Sequence, residues 1–149
     1  MMFSANIGES LKPLVKIASG GELSRVMLAL KTIFASLEAI PVLVFDEVDT
    51  GVSGRAAQAI AEKLAFIART CQVFSITHLP QVACMADVHF LIEKSTEAGR
   101  TFTHVDAMSP ERRTHELARM LGGVTVTDTT LSHAAEMLEL AHTKKQQWQ

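Results

Sequence analysis

The run Val42-Leu43-Val44-Phe45-Asp46-Glu47 constrains this chain more than any other stretch. Four apolar residues bounded by Pro41 and a carboxylate pair are too short for a helix and read as a buried strand of a parallel sheet. Such a strand delivers an Asp and a Glu to its carboxyl edge, where open α/β sheets bind their ligands. In a nucleotide hydrolase that edge holds a metal ion and an attacking water. The phosphate cradle of such a machine, G-x-x-x-x-G-K-[ST], is missing. None of the eight glycines (8, 20, 21, 51, 54, 99, 122, 123) has another glycine five positions on.

The segments around this strand alternate in type. Leu11 to Ile17 reads as a strand with Pro13 at an edge or bulge. Leu23, Val26, Met27, Leu30, Ile33, Phe34 and Leu37 recur in steps of three and four, which predicts the core-facing side of a long helix. Ser19-x-x-Glu22 has the capping-box pattern at its start, and Pro41 lies beyond its end. Ser53 is placed to cap a second helix with Ala56, Ile60, Leu64 and Ile67 inward. Gln72–Thr77 reads as a strand and Pro80 to about Ala86 as a short helix. Val88–Glu93 and Phe102–Asp106 form a hairpin around Glu97-Ala98-Gly99-Arg100. Ser109-Pro110-Glu111 starts a helix that Gly122-Gly123 stops. A last helix covers about Asp128 to Ala141, and residues 144–149 read as a frayed polar tail. Strands alternating with helices predict an α/β fold with a largely parallel sheet.

Composition narrows the class further. With 149 residues, 48% hydrophobic and 20% charged, the chain has the length and balance of one globular domain. Its apolar stretches fall far short of the roughly 20 residues that cross a bilayer. Met1-Met2-Phe3-Ser4 lacks the basic and apolar regions of a signal peptide. Cys71 and Cys84 form no C-x-x-C pair, so both are expected as reduced thiols in a cytoplasmic protein. A formal net charge of −2 offers no basic footprint for direct nucleic-acid binding by this segment.

Each chemical constellation has an ordinary reading beside a functional one. Ser19-Gly20-Gly21-Glu22 is a capping box after a turn, or a helix start whose amides and hydroxyl hold a phosphate. Two consecutive glycines exceed what a cap requires and leave room for a large anion. Asp46-Glu47 is an ordinary exit from a strand, or a pair with divided tasks. In that division Asp46 holds Mg²⁺, directly or through water, and Glu47 polarises the attacking water. Asp49-Thr50-Gly51-Val52-Ser53-Gly54 is not separable by itself from a turn followed by a cap. His78, after the strand Gln72–Thr77, is a structural histidine, or one that contacts a γ-phosphate or orients water on the edge that carries Asp46. The remaining histidines read as surface or packing residues.

Taken in order, these segments resemble the ABC-type ATPases. Ala18-Ser19-Gly20-Gly21-Glu22-Leu23-Ser24-Arg25 looks like their signature motif and Leu43–Asp49 like their Walker B strand with its catalytic Glu. Asp49–Ser53 looks like their D-loop, and His78 like their switch histidine. The forms ASGGELSR, FDEVDTGVSG, THLPQVA and ELARMLGG resemble the RecN family, SMC-like bacterial proteins of DNA double-strand-break repair, better than the chromosome-condensing SMC proteins. Chromosome-condensing SMC proteins usually carry LSGGE and DEVDAALD instead. The likeness runs from about Phe3 to Ala141.

The resemblance implies the carboxy-terminal lobe of an ATPase head, residues 1–143, followed by the polar tail. In that family the P-loop lies in an amino-terminal lobe beyond a long coiled coil, and neither is visible here. Met1-Met2 then marks a truncated gene model, a split gene or an expression fragment. The resemblance further implies ATP and Mg²⁺ as cofactors, with Ser19, Gly20, Gly21 and Glu22 serving the ATP of a second head. Asp46 (metal), Glu47 and His78 (catalysis) and the D-loop Asp49 would serve the ATP of their own head. Implied partners are the missing P-loop lobe, a second head in an ATP-dependent homodimer, and DNA through the full-length protein, with no membrane. The implied location is the cytoplasm, at the nucleoid on DNA damage. Without its P-loop the chain alone is expected to be inactive. Two other readings differ in class: a non-catalytic module that docks on intact heads, and a stand-alone metal-dependent hydrolase using Asp46, Glu47 and His78.

Overall fold

The computed structural model describes residues 2–4, 10, 12–13, 19–34, 40–97 and 99–148. These divide into two compact units, Met1–Thr77 and His78–Gln149.

In the first unit, β1 (Met2–Phe3) pairs antiparallel with β2 (Lys12–Pro13). The rest of the strand expected over Leu11–Ile17, apart from Lys12–Pro13, lies outside the described residues. Helix α1 (Gly20–Phe34) starts where the capping box predicts. The Ser19 amide donates to Glu22 Oε2 at 2.9 Å, and the Glu22 amide donates to Ser19 Oγ at 3.3 Å. Its expected inward stripe is largely outward: Leu23, Met27, Ile33 and Phe34 are exposed, and the helix buries Gly21 and Leu28 instead. Leu37, the end of that stripe, lies outside the described residues. Periodicity finds the apolar face of a helix but not whether a neighbour covers it.

Strand β3 (Val42–Phe45) and β4 (Gln72–Ser75) pair in parallel, with Phe45 beside Ser75. Among the described residues this is the whole of the parallel sheet. The Gln72 amide donates to Pro41 O and the Ile76 amide to Phe45 O, extending the pairing at both ends. Strand β3 is not buried on both faces as expected. Val42 and Val44 share a face with Phe74, and this face is open, with Val44 at 67% exposure. Phe45 and Val48 are buried, as are Ala57, Ile60, Ala61, Leu64 and Ile67 of α2 (Gly54–Ile67). Ala56, expected inward, is exposed. Ser53 occupies the N-cap position of α2 without a side-chain cap bond.

The second unit begins with His78 and the short α3 (Pro80–Ala83). The hairpin of β5 (Phe90–Glu97) and β6 (Arg100–Ala107) is longer than expected and turns at Gly99, whose φ of 77° suits glycine. Ser109 caps α4 (Pro110–Gly122) by accepting from the Arg112 amide, and Gly123 ends it with φ 78°. Thr127 and Thr130 form a reciprocal capping box on α5 (Asp128–Gln146). The expected frayed tail from Lys144 is helical through Gln146. Lys145 anchors it by donating to Asp87 at 2.6 Å and to Met85 O at 3.2 Å. Arg113 of α4 reaches back to α3 and donates through Nη2 to the carbonyls of Ala83, Cys84 and Ala86 at 3.1, 2.9 and 2.6 Å.

Candidate functional site

The carboxylate pair sits just beyond the end of β3, so the alternation of a strand does not set its directions. The chain bends at Asp46 and Glu47, then turns through Val48–Gly51, with the Thr50 amide donating to Glu47 O at 3.1 Å. Glu47 has φ 58°, and no other non-glycine residue among those described has a positive φ. A left-handed backbone at a side chain with Cβ costs about 1–2 kcal/mol, so the surrounding contacts must hold it there.

Those contacts come from the first turns of α1. Ser24 Oγ donates to Asp46 O at 3.0 Å, and Arg25 Nη1 donates to Thr50 O at 2.8 Å and Val48 O at 3.4 Å. The helix also comes close enough to need its glycines. A Cβ on Gly21 would stand 3.0 Å from Glu47 O, 3.1 Å from Arg25 Nη1 and 3.2 Å from Thr50 O. A Cβ on Gly20 would stand 2.6 Å from Glu47 Oε2. The glycine pair therefore admits the Glu47 loop, a use that the expectation of room for an anion did not include.

Asp46 and Glu47 are exposed, whereas Asp49 is buried at 2% exposure, its carboxylate accepting from the Thr77 hydroxyl. Ser19 is exposed and its hydroxyl is engaged with Glu22, so Glu22 has a capping task. The first turns of α1 and the carboxylate loop thus meet within the first unit. His78 is exposed and opens the second unit. Sequence reasoning placed Ser24 and Arg25 in the signature-like run but gave them no task. Their signal is helical spacing, since residues three and four beyond Gly21 share its face.

For a metal, the donor set is partial. Among the described residues no group of three or more His, Cys, Asp or Glu side chains is placed to hold an ion. A single exposed carboxylate such as Asp46 suits Mg²⁺, which keeps several waters and takes the rest of its shell from substrate phosphates.

No protein-family model matches the chain. It is 56% identical over 138 residues to DNA repair protein RecN of Halalkalibacterium halodurans, covering 93% of this chain and 24% of that protein. With RecN of Bacillus subtilis it shares 56% over 140 residues, covering 94% of this chain and 24% of the relative. For Deinococcus radiodurans RecN the identity is 50% over 138 residues, with 93% and 24% covered. The chain is RecN-like along nearly its whole length. It spans about a quarter of the length of these curated relatives. The RecN-like chain also matches a solved structure from work on ATP-driven dimerization and DNA-stimulated activation of SMC ATPases. There the TM-score is 0.52 at 21% identity, covering 79% of this chain and 70% of that one. The fold is accordingly that of a partial SMC-type ATPase head, mixed α/β with a small parallel sheet and an antiparallel hairpin. Among the described residues no helix is long and apolar enough to cross a membrane.

Proposed function

We propose that this chain is the carboxy-terminal lobe of the ATP-binding and hydrolysing head of a RecN-like protein, serving recombinational repair of DNA double-strand breaks. The observation that carries the reading is the RecN likeness over 93% of the chain, including the motifs that flank the Glu47 loop. The packing of Gly20–Arg25 onto that loop supports it, because signature and catalytic carboxylate would then act as one piece.

In this reading the complementary lobe holds ATP, and this chain works on its γ-phosphate end. Asp46 would take one position of the Mg²⁺ shell, and the ion when bound neutralises phosphate charge. Glu47 would orient a water and accept its proton through a carboxylate oxygen. His78 would contact a γ-phosphate, and Asp49 would belong to the loop between two heads. The first turn of α1, with Ser19 and the Gly20 and Gly21 amides, would receive the γ-phosphate of a second head. Loss of that phosphate would release the two heads, a ligand-controlled interface. DNA engagement, the homodimer and a cytoplasmic, nucleoid-associated location belong to the full-length protein in this reading.

The test is Mg²⁺-dependent phosphate release by this chain, by a separately made P-loop lobe of a RecN relative, and by their mixture. The mixture is expected to turn over ATP and each part alone to be inactive, since P-loop amides and lysine hold the triphosphate. Glu47→Gln in the mixture is expected to abolish turnover and leave ATP binding intact. Activity of this chain alone that disappears with Glu47→Gln would instead favour the stand-alone hydrolase. An inactive mixture of lobes that demonstrably associate would favour the docking module.

A further inference from the structure

We infer that Arg25 and Ser24 are positioning residues for Glu47, holding its loop in the left-handed conformation that aims the carboxylate. The kinetic part of this inference rests on the ATPase reading above, and the structural part does not. A left-handed Glu47 is uphill for the isolated backbone, so the conformation persists only if neighbouring groups select it. Selection here comes from both sides of the residue. Ser24 fixes the carbonyl just before Glu47, at Asp46 O, and Arg25 fixes the carbonyls just after it, at Val48 O and Thr50 O. Both carbonyls accept from the one nitrogen Nη1, whose direction the planar guanidinium fixes and a lysine ammonium on a flexible stem does not. Gly21 completes the clamp by leaving clear the space where a Cβ would stand 3.0 Å from Glu47 O and 3.2 Å from Thr50 O. Neither Arg25 nor Ser24 needs to touch nucleotide for this. Both act on the catalytic carboxylate through its backbone.

The linkage has a direction. The helix that carries Ser19–Gly21 also carries the clamp, so ordering the helix start by a bound anion would stiffen the Glu47 loop.

Two measurements test the clamp. The first is amide hydrogen exchange on the 149-residue chain itself, comparing wild type with Arg25→Ala, Arg25→Lys and Ser24→Ala. The Thr50 and Val52 amides, which close the turn onto Glu47 O and Asp49 O, are expected to exchange about tenfold faster in Arg25→Ala. Amides within α2 should be unchanged. Ser24→Ala removes one hydroxyl from a partly exposed position, folds even where Arg25→Ala does not, and should show a smaller effect confined to the same turn. The second is turnover of the mixture with the P-loop lobe. Arg25→Ala is expected to lower kcat by about tenfold to a hundredfold, the scale of a small misplacement of a catalytic group, with KM for ATP nearly unchanged. Arg25→Lys should recover only part of the loss. Wild-type exchange in the turn with Arg25 and Ser24 both replaced would overturn the clamp. So would wild-type kcat in Arg25→Ala, or equal loss across α2, which would mark a merely structural role. A wild-type mixture with no turnover speaks against the ATPase reading, and the exchange result still decides the clamp.

Discussion

Glu47 joins the left-handed backbone, unique among the described non-glycine residues, to the proposed catalytic role. Its φ of 58° is tolerated because Ser24, Arg25 and the two glycines surround the turn. Glu47→Gly relieves a left-handed side chain and is expected to stabilise the fold by about 1 kcal/mol while removing turnover from the reconstituted head. Urea unfolding with an unchanged slope measures the first effect, and a lowered midpoint would show that the carboxylate's own contacts outweigh the backbone cost. Gly21→Ala gives an opposed sign. In an open helix the exchange would stabilise by up to about 1 kcal/mol. Here the new methyl meets Glu47 O and Thr50 O, both backbone, at 3.0 and 3.2 Å. Overpacking of this kind costs about 1–3 kcal/mol. The same unfolding measurement should therefore show a fall, and any gain in stability would argue against the close approach. Only part of this was legible in the sequence. The glycine pair announced a close approach, but which group approached depended on contacts spanning more than twenty residues, such as Ser24 to Asp46.

At the scale of elements, local signals served wherever an element is held by its own chain. The caps at Ser19 and Ser109, the turn at Gly99 and the stop at Gly123 set α1, α4 and the hairpin close to where their residues place them. Signals failed where a distant side chain decides. Helix α5 runs past Ala141 because Lys145 finds Asp87 and the Met85 carbonyl, a partner that no helix pattern contains. The four-residue α3 likewise depends on Arg113, whose guanidinium takes three carbonyls at its carboxyl end. Arg113→Ala would strand those carbonyls and is expected to cost about 2–3 kcal/mol, read as a lowered unfolding midpoint. Nearby, burial chiefly, with the Arg113 charge adding to it, holds the His89 pKa below the ordinary histidine value, against a smaller opposing pull from Glu116. Unfolded, His89 takes up its proton near pH 6.5, and folded it does so only at lower pH. Between those values the unfolded chain binds more protons, so stability rises with pH across that window and falls on acidification. His89→Gln should flatten this part of the profile when midpoints at pH 5 and 7.5 are compared with wild type. An unchanged difference between the two pH values would remove His89 from the acid sensitivity.

At the scale of the whole molecule, the first unit has an open apolar surface that composition alone did not locate. Val42 and Val44 of β3 and Phe74 of β4, with Ile76 just beyond, stand on one side of the parallel pair and are all exposed. The apolar run of β3 was read correctly as a strand of a parallel pair but not as a buried one, because burial needs a second layer and the described residues of this unit supply it on one face only. RecN relatives about four times as long as the matched segment have ample chain for that layer. If the P-loop lobe provides it, one substitution should separate folding from assembly. Val44 is 67% exposed, so Val44→Lys is expected to change the stability of this chain alone by no more than about 0.5 kcal/mol. It should also reduce self-association, because a charge interrupts an exposed apolar strand face. In the mixture with the P-loop lobe the same lysine would have to be buried without a partner, at a cost of several kcal/mol. The wild-type chain should therefore gain thermal stability as the lobe is added, following mass action, and Val44→Lys should gain none. Thermal unfolding of both chains across a titration of the lobe makes the comparison. Equal stabilisation of wild type and Val44→Lys would show that the lobe docks elsewhere and that this sheet face serves some other contact.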